Sequence, residues 1–317
     1  MLESPLMFNP VAFHVFGWPI RWYGITMALS LLVSAFIAQK LLQTRGRKAE
    51  YIWDGVLWAA VFGVVGARLV YLLTNLPDYY GRWLDMFKVY EGGLSFHGAM
   101  AFGLLGCWLY FRRTPLKLLE AMDAVAPGVS IGIMLVRFIG NLANGDILGY
   151  KVSREVIPWA LNFPYDEYHF MENTTEAITR HPAEIYGGLV GLVLLALTLF
   201  IWYRRYAPGT NMFAFIAGYS LVRSLLEEPF RSVPHYGIHF YNETYGFGGV
   251  TMTQWASVVF IIIGVWGIIA VNRRAGREAW EPPEPEAEAA PPPTRRPRRR
   301  PEPKPAAEKK KHKPFAD

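Results

Sequence analysis

Apolar blocks long enough to cross a bilayer recur along this chain, and they leave it few folds to adopt. A span takes about 20 apolar residues, and inside lipid only helices or closed barrels satisfy their own backbone. Seven such blocks stand out, roughly 22–42, 52–73, 94–113, 118–142, 185–202, 212–226 and 250–271. A soluble chain would show shorter, periodic stripes instead. The predicted fold is all-α, a polytopic integral membrane protein of about seven transmembrane helices.

The pieces between the blocks imply a domain order and a topology. Residues 1–20 are apolar and aromatic but broken by Pro5, Pro10, Gly17 and Pro19, which suits an interfacial N-terminal arm better than a cleaved signal peptide. Residues 21–272 form the seven-span domain, with 146–182 as its largest polar insertion. Residues 273–317 make a tail rich in Pro, Glu and Ala, then in Arg and Lys, a composition expected to stay disordered. Its basic block, 295–300, suits anionic headgroups or plain solvation. Basic clusters at 45–48, 112–117, 204–205 and 273–277 fall on alternate loops, which the positive-inside rule assigns to the cytoplasm. The N-terminus is then expected outside and the C-terminus inside. Loops 75–93, 146–182 and 229–249 fall on the outer face, with His97, Asn141 and Asn144 near it.

Composition removes several classes of function. Cys107 is the single cysteine and lies in an apolar run, so neither an internal disulfide nor a cysteine-based metal site is available. His169, His235 and His239 show no ligand spacing with nearby acids, and no metal is expected. The net charge of +6 resides largely beside spans and in the tail, where topology accounts for it, so no nucleic-acid partner is expected.

Charge inside the apolar blocks marks a candidate site. The fourth block ends in Val136-Arg137-Phe138-Ile139-Gly140-Asn141-Leu142-Ala143-Asn144-Gly145-Asp146, and Arg223 lies within the sixth. An intramembrane arginine is costly and faces a polar interior. Tyr219, Arg223 and Glu227 are spaced i, i+4, i+8 on one helix face, so Arg223 and Glu227 form either a structural ion pair or part of a pocket. Two arginines converging on one pocket suit a phosphate, which guanidinium meets with planar paired donors. His97, flanked by Gly93 and Gly98, is either hydrogen-bonded framework or a proton acceptor near neutral pH. Tyr23 fits an aromatic belt or a pocket, Asn141 and Asn144 fit helix caps or pocket walls, and Arg68 fits snorkelling or a site. For His181, at the start of the fifth block, helix capping is a sufficient reading.

Several short motifs fall in a telling order: Trp22-Tyr23-Gly24, Gly66-Ala67-Arg68 with Tyr71, and Gly93-Leu94-Ser95-Phe96-His97-Gly98. Gly140-Asn141, Asn144-Gly145, Gly149, Arg180-His181-Pro182 and Gly218-Tyr219 with Arg223 follow. In order and spacing the chain resembles the prolipoprotein diacylglyceryl transferase family of bacterial inner membranes, over nearly all of residues 9–272. The resemblance implies a seven-span bundle with periplasmic elements above it. It also implies transfer of the diacylglyceryl group of phosphatidylglycerol to the cysteine thiol of a lipobox-bearing prolipoprotein, giving a thioether and glycerol phosphate. The family's key tyrosine, histidine and arginines fall on Tyr23, His97, Arg137 and Arg223, read as catalytic. Arg137, Arg223, Asn141, Asn144, Gly149, Tyr219 and Asp146 are read as substrate-binding. Phosphatidylglycerol, prolipoproteins and membrane lipids are the expected partners, and no cofactor is required.

The chain departs from the family pattern in places. The family's His-Gly-Gly is His97-Gly98-Ala99 here, and its Asn-Gly-Glu is Asn144-Gly145-Asp146. Arg137 stands one residue too far ahead of Gly140-Asn141, and Arg231 follows Glu227 by four residues where the family shows three, with Pro229 between. One extra residue swings a side chain by about 100° around a regular helix. A π-bulge beside Gly140 is expected to absorb the shift, so that both arginines still meet one phosphate. In the expected reaction His97 accepts the thiol proton while Arg137 and Arg223 hold the phosphate and the developing charge. The rival readings are a transporter of a phosphorylated solute, which calls for an internal repeat with paired broken helices, and a structural membrane subunit. No convincing repeat is visible.

Overall fold

The computed structural model describes residues 9–87, 93–145, 147, 149–163, 178–232 and 240–275. The expected disordered tail beyond Ala275 and the predicted site residue Asp146 lie outside this set. Among the described residues, helices carry the fold: α1 (Trp22–Gln43), α2 (Tyr51–Thr74), α3 (Phe96–Phe111), α4 (Leu118–Leu135), the short α5 (Leu142–Asn144), α6 (Ala183–Arg204), α7 (Thr210–Leu226) and α8 (Met252–Ala275). Short antiparallel hairpins complete it: β1 (Val11–Val15) with β2 (Trp18–Arg21), β3 (Leu161–Phe163) with β4 (Ile178–Arg180), and β5 (Phe240–Asn242) with β6 (Phe247–Gly249).

Among the described helices, α1, α2, the Leu118–Asn144 stretch, α6 and α8 are the five long and apolar enough to cross a membrane. The others, α3 with 16 residues and α7 with 17, are shorter. At 1.5 Å per residue they reach about 24–26 Å, just under the hydrocarbon thickness. Their ends explain the length. Ser95 caps α3 by accepting from the Gly98 N–H, and α7 starts after Gly209 in the left-handed region (φ 96°) and stops ahead of Glu228-Pro229.

The helices are built inside out relative to a soluble bundle. In α1 the buried residues are Thr26, Ser30, Ser34, Ala35 and Ala38, joined only at the last turn by Leu41 and Leu42, whereas Leu29, Leu32 and Phe36 are exposed. Apolar side chains gain nothing from leaving lipid for a protein core, so small residues and polar contacts fill the helix interfaces. The face toward α4 follows that rule. Ser30 donates to the Gly132 carbonyl across the interface at 3.2 Å, and Gly128 lies against the Ser34 backbone. The other neighbours in the bundle include α2 with α3, α4 with α6, α4 with α7, α6 with α7, α7 with α8 and, more lightly, α1 with α2.

One end of the bundle is closed by polar contacts between distant helices. Arg45, beyond α1, donates to the Trp202 carbonyl at 2.7 Å with its guanidinium 3.5 Å above the Trp202 ring. Arg47 pairs with Glu120 at 2.9 Å. Asp123 of α4, 2% exposed, accepts the Gly209 N–H at 2.7 Å and the Met212 N–H at 2.8 Å. The start of α7 is therefore capped by a residue of another helix.

Candidate functional site

A break in the regularity of α4 places Arg137. The helix is regular to Leu135, widens into a π-helical turn over Val136–Asn141, and resumes as α5. The expected π-bulge is present at the residues where the arginine is displaced. Such a turn takes in one extra residue without ending the helix, so the shift does not turn Arg137 out of the interior. Gly187 of α6 leaves the room, since a Cβ there would stand 2.9 Å from Nε of Arg137 and 3.0 Å from Oε2 of Glu227. At the far end of the same turn, Gly140 abuts Tyr23 and Thr26 of α1, and Asn141 is buried.

Arg223 reaches the same spot from α7. Nη2 of Arg137 lies 2.8 Å from Oε1 of Glu227, and Nε of Arg223 lies 3.5 Å from Oε2 of the same carboxylate. Nη2 of Arg223 also sits 3.0 Å from Oε2 of Glu228. Two cations and two anions cancel, which is how buried charge is tolerated. Both arginine side chains are 14% exposed while Glu227 is 1% and Glu228 0% exposed, so the cations form the accessible face of the cluster. A guanidinium carries five N–H donors, and these carboxylates engage only some of them. Tyr219, one turn before Arg223, is half-buried, its ring stacked on Phe215 at 6.1 Å.

A polar cap follows directly. Beyond α7, Glu228–Phe230 forms one 3-10 turn, Arg231 pairs with Gly149 in an antiparallel bridge, and the Tyr150 N–H donates to the Phe230 carbonyl at 2.9 Å. Gly149 is buried against His181, whose backbone carbonyl would collide with any Cβ placed there. Asn144 is half-buried ahead of Gly145, which ends α5 in the left-handed region.

His181 does not cap α6, contrary to expectation, for the helix has no side-chain cap. Its Nε2–H donates to the Tyr245 carbonyl at 2.9 Å, and its Nδ1 accepts from the Tyr186 hydroxyl at 3.0 Å, which in turn accepts from Trp159 Nε1 at 2.8 Å. The Tyr245 carbonyl fixes a proton on Nε2, and the Tyr186 hydroxyl serves the neutral ring by donating to Nδ1. Burial holds its pKa below the ordinary 6.5, outweighing the Tyr245 carbonyl, which favours the charged form. The neutral ring therefore stabilises the fold fully above about pH 6.5, and that contribution disappears as pH falls through the lower folded value. The thermal midpoint of the purified protein should drop between about pH 7 and pH 5, and His181→Gln should flatten the drop. Equal pH profiles for the two proteins would refute this role.

His97 is exposed at the first turn of α3, whose packing partner is α2. Its turn is held from α2: Arg68 donates to the carbonyls of Asp85 and Met86 at 2.8 Å and of Gly93 at 3.1 Å, and the Ser95 N–H donates to the Ala67 carbonyl at 3.0 Å. Arg68 is 8% exposed, so the snorkelling reading is replaced by a loop anchor. Glu227 thus joins Arg137 and Arg223, the π turn that carries Arg137 and Asn141 abuts Tyr23 through Gly140, Gly149 bridges to Arg231 just beyond α7, and Tyr219 shares the helix of Arg223, whereas His97 stands on the α2–α3 pair. Sequence reasoning missed Glu228, and it missed that Glu227 serves both arginines; a second acid directly after Glu227 at the end of a span was the available signal.

Comparisons with known proteins show the family. The family model described as prolipoprotein diacylglyceryl transferase matches residues 10–270. The phosphatidylglycerol–prolipoprotein diacylglyceryl transferase of Thermus thermophilus is 35% identical over 270 residues, covering 81% of this chain and 95% of that protein. The protein of the same name from Dechloromonas aromatica is 33% identical over 280 residues, covering 86% of this chain and 99% of its own. That from Caldanaerobacter subterraneus is 30% identical over 274 residues, covering 86% and 98%. With a family model matched over residues 10–270 and this likeness to its members, the chain belongs to the prolipoprotein diacylglyceryl transferase family.

Proposed function

We propose that this protein performs the first step of lipoprotein maturation, moving the diacylglyceryl group of phosphatidylglycerol onto the lipobox cysteine of a prolipoprotein. The observation that carries the reading is the meeting of Arg137 and Arg223, from α4 and α7, on Glu227. Their remaining donors suit the phosphate, and they offset the charge that grows on the leaving oxygen. The cysteine sulfur attacks the glyceryl carbon that bears the phosphate oxygen. A C–S bond forms, the C–O bond breaks, and glycerol phosphate departs. His97 takes the thiol proton, which a thiol of reference pKa about 8.5 largely retains at neutral pH. Tyr23, Asn141, Asn144, Asp146, Gly149 and Tyr219 shape the headgroup site.

The protein sits in the bacterial inner membrane, with α3 and α7 bringing the spans to seven as the third and sixth in chain order, residues 1–20 as an interfacial arm and 273–317 as a cytoplasmic tail. The N-terminus is periplasmic and the C-terminus cytoplasmic. Support comes from Lys40, Arg112, Arg204 and Arg273-Arg274, which end α1, α3, α6 and α8. A reporter active only in the cytoplasm should work when fused after Arg277 and stay silent within 155–175; the reverse would overturn this orientation.

The deciding experiment mixes purified protein with phosphatidylglycerol and a lipobox peptide and follows the peptide mass. Arg223→Lys keeps the charge but loses the planar fork, so turnover should fall strongly. His97→Gln should abolish most transfer yet still bind phosphatidylglycerol. Near-normal turnover of His97→Gln at neutral pH would remove His97 as the base. No mass gain with the wild-type protein would remove the reading itself.

A further inference from the structure

The start of α8 is wired to Arg223 through two routes. Thr251 and Gln254 form a reciprocal cap: the Thr251 N–H donates to Gln254 Oε1 at 3.0 Å, and the Gln254 N–H donates to the Thr251 hydroxyl at 3.2 Å. Such a box needs only these two bonds to satisfy the helix end. Here each side chain makes a second bond outside its own helix. The Thr251 hydroxyl donates to Oε1 of Glu228 at 3.0 Å, while the other oxygen of that carboxylate, Oε2, meets Arg223 at 3.0 Å. Gln254 Nε2 donates to the Ser224 carbonyl at 3.1 Å, in the last turn of α7 and directly after Arg223. Thr251 and Glu228 are both buried, so water does not replace the bond between them.

We infer that Thr251 and Gln254 are positioning residues for Arg223. A buried carboxylate with one oxygen pinned by a hydroxyl has little rotational freedom left, and its other oxygen fixes where the guanidinium points. Gln254 holds the backbone next to the same arginine, so both its root and its tip are set from α8. The cap of one helix thus doubles as the orienting clamp for the functional group of another, as preorganised charge in an active site requires. This rests on the reading of Arg223 as a phosphate ligand.

The test is a kinetic cycle on full-length protein with phosphatidylglycerol and a lipobox peptide as varied substrates. Thr251→Val and Gln254→Met should each raise the KM for phosphatidylglycerol by about tenfold while the KM for peptide stays within about twofold. Thr251→Ser retains the hydroxyl and should restore the phosphatidylglycerol KM. In an Arg223→Lys background Thr251→Val should add no further loss, because the residue it orients is already gone. Losses that multiply in the double variant, or a peptide KM that rises in step, would mean a general structural role and overturn the inference alone. An Arg223→Lys protein with an unchanged phosphatidylglycerol KM would instead overturn the phosphate reading, and this inference with it.

Discussion

Glu227→Ala is expected to abolish transfer and to destabilise the protein by about 3–5 kcal/mol, because it strands two buried cations together. Glu227 is the shared partner of Arg137 at 2.8 Å and Arg223 at 3.5 Å, and only Glu228 would remain to balance them. The loss of stability and the loss of activity have separable causes. In Arg137→Met/Glu227→Met a cation and an anion leave together, so most of the stability should return. Activity should not, since one of the two phosphate ligands is gone. Thermal melts in detergent and the peptide mass assay would be run on both variants. A Glu227→Ala protein that melts like the wild type would show that the pair is not the buried, shared interaction described above. Full transfer by the double variant would leave the phosphate to Arg223 alone.

Adding a second residue to the π turn, an alanine inserted after Ile139, should be nearly as damaging to activity, by a different route. The turn over Val136–Asn141 already holds one extra residue while Arg137 stays on Glu227 and Gly140 stays against Tyr23 and Thr26. A further residue that the turn does not absorb rotates its two sides by about 100° against each other, so only one of those contacts survives. We expect membrane levels close to wild type and transfer reduced by at least about 100-fold, the usual scale for a misplaced active-site group. Deleting Ile139, which is 40% exposed, takes the extra residue out, returns the turn to regular helix and should leave transfer near wild type. Wild-type transfer by the insertion, or loss of transfer by a well-inserted deletion protein, would show that the bulge has no part in aligning the site.

The elements legible in the sequence are those whose cause is local. Long apolar runs marked the five long helices to within a few residues, because lipid imposes length and composition directly. The π turn was legible from one misplaced arginine, since spacing against a family pattern exposes an insertion even where composition does not. What escaped depends on partners far along the chain. The cap of α7 comes from Asp123, 86 residues before Gly209, and the partner that diverts His181 from a capping role is Tyr245, 64 residues after it. Arg68 looked like a lipid-edge cation because its acceptors, three loop carbonyls, carry no side-chain signature. For the same reason the lengths of α3 and α7 depend on Ser95 and Gly209, residues that a hydropathy profile passes over. Of the candidate site, the arginines stood out as charges in apolar runs, whereas Tyr23 and Asn141, which also fit an aromatic belt and a helix cap, were singled out by the family resemblance. Glu228, Thr251 and Gln254 lie at a helix junction where polar residues raise no alarm.

The borrowed cap on α7 has a consequence for biogenesis. A helix entering the bilayer with its first amides unmet carries a cost of several kcal/mol, and α7 contains Asn211, Ser220, Arg223 and Ser224 besides. At 17 residues α7 is therefore poorly equipped to settle in lipid alone. The ribosome delivers α4 first, and Asp123 waits with it for Gly209 and Met212. When α7 docks against α4, the same movement that seats its start on Asp123 brings Arg223 toward Arg137 and Glu227 at its other end. Assembly of the bundle and completion of the active site are then a single late event. A chain halted before it would carry every long span and no chemistry.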